Sequence, residues 1–162
     1  MSEVEARVEI PAPLADVWDL YFDPDRWRSW VDGFARVLEV SPDYPEVGGR
    51  LVWESTPPGR GRVEERVLAH EERRLHAVAF RDPATEGELT VRFEMAPARE
   101  GSERLTVVTQ KQDYRLTEGG PLAGLTDRLF IRSQMRGSLE RSLLELRGEL
   151  LSAGRPPPDA ER

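Results

Sequence analysis

Leu122, Leu125, Leu129, Leu139, Leu143, Leu146 and Leu150 dominate the last third of this chain. Their steps of three and four, with one longer gap after Leu129, trace a single helical face. The spacing predicts a helix from Pro121 to about Ser152 with no interior proline. At about 1.5 Å per residue it would run roughly 45 Å, long for a small domain. The chain upstream reads as short strands and two short helices. A fold with one long helix and many strands has to wrap its sheet around that helix.

The 162 residues suit one domain, expected over residues 1–152. The Pro-rich end, residues 153–162, is too polar to pack and is expected to be a mobile tail. No apolar run approaches the 18 or so residues a membrane helix needs. The opening MSEVEARVEI lacks a basic stretch followed by an apolar one, so no secretory signal is expected. Cysteine is absent, which removes disulfides, thiolate catalysis and thiolate metal sites together and points to the cytoplasm. A net charge of −7 sets the whole-molecule field against nucleic acid and anionic membranes.

Val4, Ala6, Val8 and Ile10 alternate with Glu5, Arg7 and Glu9, the period of a half-buried strand. Pro11 and Pro13 stop it. Leu14, Val17, Trp18 and Tyr21 then share a face of a short helix, which Asp23-Pro24 breaks. A second short helix carries Trp27, Trp30 and Val31 to Gly33, and the three tryptophans of this region read as packing for the short helices. Six strands follow: 34–40, 50–56, 62–71, 74–81, 88–96 and 104–116. Turn chemistry separates them at Pro42–Gly49, Pro57-Pro58-Gly59, Asp82–Gly87 and Glu100-Gly101-Ser102. Every connection is short and none is helical, so the strands form an antiparallel meander rather than parallel crossovers.

The predicted class is α+β: a curved seven-stranded antiparallel sheet around a long C-terminal helix, with two short helices after the first strand. One helix about 10 Å wide cannot fill the hollow of a strongly curved sheet. A cavity between them is the expected route from shape to function.

The run VEIPAPLADVWDLYFDPDRWRSWVDGFARVLEV resembles the opening of the polyketide cyclase/dehydrase-like branch of the START/Bet v1-like (SRPBCC) superfamily. A strand leads to Pro-Ala-Pro, a Val-Trp helix, an Asp-Pro break and a second Trp-bearing helix. Gly48-Gly49 before a strand and Gly120-Pro121 before a leucine-spaced helix are similar too, so the likeness spans about residues 4–152. It implies a helix-grip fold whose members take lipids, sterols, polyketides, hormones, quinones or aromatic intermediates into an internal pocket, a minority being cyclases or dehydratases and some co-chaperone-like activators. It carries no shared catalytic motif, so no catalytic residue follows from it.

The cavity candidates are Trp53, Glu65, Val67, Arg81, Val91, Phe93, Asp113, Arg132 and Met135. Arg81 shares a strand face with Leu75, Ala77 and Ala79; it either holds a carboxylate or phenolate or pairs with an acid at the strand end. Trp53 is either a pocket wall or plain core. Glu65 shares a face with Val63 and Val67, and Asp113 with Leu105 and Val107. Each is either a carboxylate near apolar neighbours, fit for acid/base work, or solvated at an edge or bulge. Val67, Val91 and Phe93 are apolar inward positions, and Met135 with Arg132 leads into the leucine face. His70 and His76, on adjacent strands, read either as surface residues or as a base or metal-ligand pair lacking a clear third ligand. No metal or cofactor is expected.

Three functions remain open from sequence. The first is binding, transport or sensing of a small hydrophobic or aromatic ligand by a monomer or homodimer without nucleic-acid partners or membrane insertion. The second is a cyclase or dehydratase on such a substrate, and the third a protein-docking module.

Overall fold

Strand polarity decides which way each element faces. Along β1 (Ser2–Ile10), Val4, Ala6, Val8 and Ile10 are buried while Glu3, Glu5, Arg7 and Glu9 face water. The computed structural model describes residues 1–97, 104–124 and 128–153. After β1 come α1 (Leu14–Tyr21), a 3₁₀ helix (Pro24–Ser29), β2 (Phe34–Val40), β3 (Arg50–Ser55) and β4 (Arg62–Glu71). The chain continues through β5 (Leu75–Arg81), β6 (Thr85–Ala96), β7 (Leu105–Leu116) and the C-terminal helix α2 (Arg128–Ala153). The sheet order is β1-β7-β6-β5-β4-β3-β2, and every neighbouring pair is antiparallel. This is the helix-grip arrangement expected, with β1 crossing over to pair with β7.

The register lines inward residues into rungs across the sheet. One runs Val67–Val78–Leu89–Gln112–Val4, and the next His70–His76–Val91–Gln110–Ala6. Nearer the other end lies Glu65–Phe80–Gly87–Tyr114. At Gly87 the strands press together: an added Cβ would collide with the Asp113 carbonyl oxygen, so a residue without a side chain is required there. A bulge between Val67 and Ala69 adds one residue to β4, and this turns His70 inward opposite His76.

Helix α2 buries Ile131, Leu139, Leu143 and Leu146. Its closest neighbours are β1, α1 and the 3₁₀ helix, so it leans to one edge of the sheet. The short helices are tied by the Trp27 indole, which donates to the Tyr21 carbonyl at 2.8 Å. Among the described residues no helix is long and apolar enough to cross a membrane.

The structure corrects three readings. Helix α2 is described only from Arg128, and Pro121–Gly124 form turns, with Gly120 N bonding Thr117 O at 3.1 Å and Ala123 N bonding Gly120 O at 3.0 Å. Proline suits the second position of such a turn as well as a helix start. Leu129, placed on the buried face by spacing, is 77% exposed, because the buried face of α2 runs through Ile131 to Leu139 and Leu143, and the ten-residue gap between Leu129 and Leu139 turns Leu129 off it. Strand β6 resumes at Thr85 rather than Glu88, because the Asp82 carboxylate accepts from Ala84 N at 2.9 Å and Thr85 N at 2.6 Å and completes the reversal early. Leu125, the Glu100-Gly101-Ser102 turn and the tail from residue 154 lie outside the described residues; Ala153, assigned to the tail, ends α2.

Adjacent leucines on α2 give a direct test of this packing. Leu143 is 1% exposed and Leu144 62%. Leu143→Ala should cost about 2–5 kcal/mol in urea unfolding, whereas Leu144→Ala should stay within about 0.5 kcal/mol.

Candidate functional site

Between α2 and the sheet lies a cavity of about 720 Å³, within the range of small-molecule sites. Its walls come from α2, the 3₁₀ helix and the inward rungs of β3 to β7, and the loops at 58–60 and 121–122 reach its edge. Trp30, Trp53, Tyr21 and Tyr44 supply aromatic surface; Val78, Leu89, Val91 and Met135 supply aliphatic surface.

The polar wall is built from residues that the sheet forces inward. At one end Arg60 donates through Nε to Asp82 Oδ2 at 2.8 Å and lies 5.0 Å from the Phe80 ring centre and 5.7 Å from that of Trp53. Asp82 also accepts from the Thr85 hydroxyl at 2.9 Å, so its buried carboxylate is fully engaged. On the next strand Glu65 accepts from the Trp53 indole at 3.0 Å. Burial raises the Glu65 pKa, opposed by that indole and by the Arg60 charge. Burial also pushes the Tyr21 and Tyr44 phenols up, with Glu65 adding to both, so each stays protonated. Tyr21 OH accepts from Gln110 Nε2 at 2.9 Å.

Further along, His70 and His76 face each other Nδ1 to Nδ1 at 3.0 Å, enclosed by the rings of Trp18, Phe22 and, beside His76, Tyr44. His76 is 5% exposed. Burial, then the His70 charge, lowers its pKa to about 3, so it is neutral at pH 7. Among the described residues no three His, Asp, Glu or Cys groups gather as metal ligands.

Among the described residues four buried polar atoms have no hydrogen-bond partner: Trp30 Nε1, Arg60 Nη2, Gln110 Oε1 and Gln112 Nε2. All four residues line the cavity. Leaving such a group unpaired costs about 1–3 kcal/mol, and clusters of them in native structures call for an explanation.

On the α2 side, Asp32 clamps the helix. It accepts from Arg141 Nε at 3.1 Å and Nη2 at 3.0 Å and from the Ser138 hydroxyl at 2.8 Å, and its amide donates to Ser142 Oγ at 2.9 Å. The Arg141 hydrogen bonds hold the Asp32 carboxyl below its ordinary pKa.

Of the candidates named from sequence, Trp53, Glu65, Val91 and Met135 line the cavity together. Val67 and Phe93 are buried but stand back from it, Phe93 against Trp18 and Tyr21. Arg81 faces solvent and pairs with Glu86 at 3.5 Å, because β5 turns His76, Val78 and Phe80 inward instead. Asp113 lies on the outward parity of β7, opposite Glu3 and Glu88, and Arg132 is exposed on α2. His76 proves to be an interior residue. Sequence reading missed Arg60, Tyr21, Tyr44, Gln110 and Gln112. Tyr114, two and four residues along from Gln112 and Gln110, would have set the β7 phase correctly; Arg60, in a turn after Gly59, gave no periodic signal.

A model of the family described as "Polyketide cyclase / dehydrase and lipid transport" matches residues 1–150. No curated protein matches the chain significantly. Among solved structures, a START superfamily protein from Mycobacterium smegmatis is similar at a TM-score of 0.70 and 14% identity, covering 93% of this chain and 98% of its own. A conserved protein from Geobacillus kaustophilus gives 0.68 at 12% identity, with 94% and 97% covered. Norcoclaurine synthase from Thalictrum flavum, in complex with dopamine and hydroxybenzaldehyde, gives 0.60 at 14% identity, with 96% and 89% covered. At these identities the likeness is one of fold.

The sign of the histidine effect on stability follows from proton binding. An unfolded His76 takes up a proton near pH 6.5, whereas the folded one does so only near 3. The unfolded state therefore binds more protons in that window, and stability falls as pH drops through it. Between pH 7 and 5 wild type should lose about 1–2 kcal/mol from this source. His76→Leu should flatten that part of a urea-midpoint profile.

Proposed function

This chain belongs to the polyketide cyclase/dehydrase and lipid transport family, and from that premise we propose that its cavity binds a small hydrophobic molecule with aromatic character. The observation that carries the reading is the 720 Å³ space walled by aromatic rings and holding four unpartnered polar atoms. A purely structural core would close such a space, since unfilled volume and unpaired donors both cost stability. Family and fold are consistent with ligand binding, and the norcoclaurine synthase relative of this fold holds small aromatic molecules. A docking module would instead be expected to have a filled core. The same reading takes the protein to act in the cytoplasm, in keeping with its cysteine-free composition.

A second reading, catalysis on the bound molecule, is favoured by Glu65. Its carboxyl faces the cavity with a raised pKa, beside the protonated phenols of Tyr21 and Tyr44. A proton donor or acceptor of that kind suits a cyclisation or dehydration. Binding remains the main proposal because it needs no convergence on one substrate atom.

The test is direct. Native mass spectrometry of the purified protein should show a co-purifying small molecule, or calorimetry should show uptake of an aromatic probe such as 2-naphthalenemethanol. Met135→Trp, which fills the space from α2, should weaken uptake about tenfold or more while the melting temperature holds or rises. Equal uptake by wild type and this variant would place the ligand elsewhere.

A further inference from the structure

Resting on the binding reading above, we infer that the cavity selects an acid: a flat aromatic molecule whose carboxylate pairs with Arg60. Among the described residues two arginines, Arg60 and Arg141, line the cavity. Arg141 is committed to Asp32 through both Nε and Nη2. Arg60 gives only Nε to Asp82, and its Nη2 is buried without a partner.

Asp82 is the countercharge to that cation, but it takes only the Nε side of the guanidinium: its two oxygens are already shared among the Ala84 and Thr85 amides, the Thr85 hydroxyl and Arg60 Nε. What Asp82 does is hold the guanidinium in place. Phe80 and Trp53 brace it by their ring faces, at 5.0 and 5.7 Å from its central carbon. A fixed guanidinium with a spare donor is the geometry that favours a carboxylate over a neutral oxygen.

The other unpaired atoms point to the same class. Trp30 Nε1 and Gln112 Nε2 are donors, so with Arg60 Nη2 three of the four unpaired atoms carried by cavity-lining residues are donors, against one acceptor, Gln110 Oε1. Amide oxygen and nitrogen interchange by a flip, and flipping Gln110 or Gln112 still leaves at least two donors, Arg60 and Trp30. A hydrocarbon satisfies none of these groups, and a cationic amine would meet the guanidinium. An oxygen-rich acid answers them. Glu65, the anionic group that would oppose an acid, is disfavoured in its charged form by burial. The rings of Trp30, Trp53, Tyr21 and Tyr44 give the flat body of such a molecule its walls.

Calorimetry with 2-naphthoic acid and its neutral counterpart 2-naphthalenemethanol, at pH 7, tests the assignment. Wild type should take the acid at least about tenfold more tightly than the alcohol. Arg60→Met should lower the acid's affinity until the acid-to-alcohol ratio is close to one, and Arg60→Lys should restore part of that ratio. Circular dichroism melts establish that each variant is folded; should Arg60→Met fail to fold, the acid-to-alcohol ratio in wild type and Arg60→Lys decides the matter. Equal affinities for the two probes in wild type would overturn the acid assignment and leave the binding reading standing. Uptake of neither probe by wild type would overturn both. A preference for the acid that survives in folded Arg60→Met would place the carboxylate on another group and refute the role given to Arg60.

Discussion

A single helix facing a seven-stranded sheet is the constraint from which the rest of this molecule follows. Helix α2 keeps close company with β1 and the short helices. Farther from that edge the second layer is thinner, the short helices packing on β2, β6 and β7. Even with Trp27, Trp30 and Trp53 on its walls, the space between stays open at about 720 Å³. Val4, Ile10, Leu143 and Leu146 are almost completely covered on the β1 side, and Leu51, Val63 and Val91 are as fully covered on the strands farther from it.

The open side is also the polar side. Glu65, Gln112 and the pair Gln110 and His76 occupy three successive rungs of the sheet interior beside Val78, Leu89 and Val91, and Arg60 joins them from the turn before β4. Each polar group is costly to bury, and several are only partly satisfied. Interiors shaped for stability alone replace such groups with apolar ones of similar volume. Their grouping around one cavity, and not through the leucine seam, separates the part of the core that folds the chain from the part that addresses a guest.

Much of the architecture was legible in the sequence, and the reasons are local. Prolines, glycines and alternating residues mark strand limits, so seven strands and the antiparallel order could be read before any coordinates. Side-chain parity was harder. A strand has period two, and assigning its phase one residue out exchanges the two faces completely. That is how Arg81 and Asp113 come to stand among the cavity candidates while His76, Gln110 and Gln112 hold the inward positions. On β4 a bulge resets the phase partway, so Val63, Glu65 and Val67 were correctly grouped but His70 was not anticipated to meet its partner inside. Arg60 belongs to no period at all. Its placement depends on Asp82, 22 residues away, and nothing in the local sequence announces that contact.

The clamp at Asp32 has a mechanical consequence. It grips α2 near its middle, at Ser138, Arg141 and Ser142, and beyond that point Leu143 and Leu146 are buried where the helix packs on β1. The segment before it, from Arg128, rests on fewer buried side chains, chiefly Ile131 and the partly covered Met135. The helix is thus a beam pinned at a fulcrum, stiff on one arm and lightly seated on the other. A small tilt of the lighter arm would widen the hollow beneath it without disturbing the seam that keeps the protein folded.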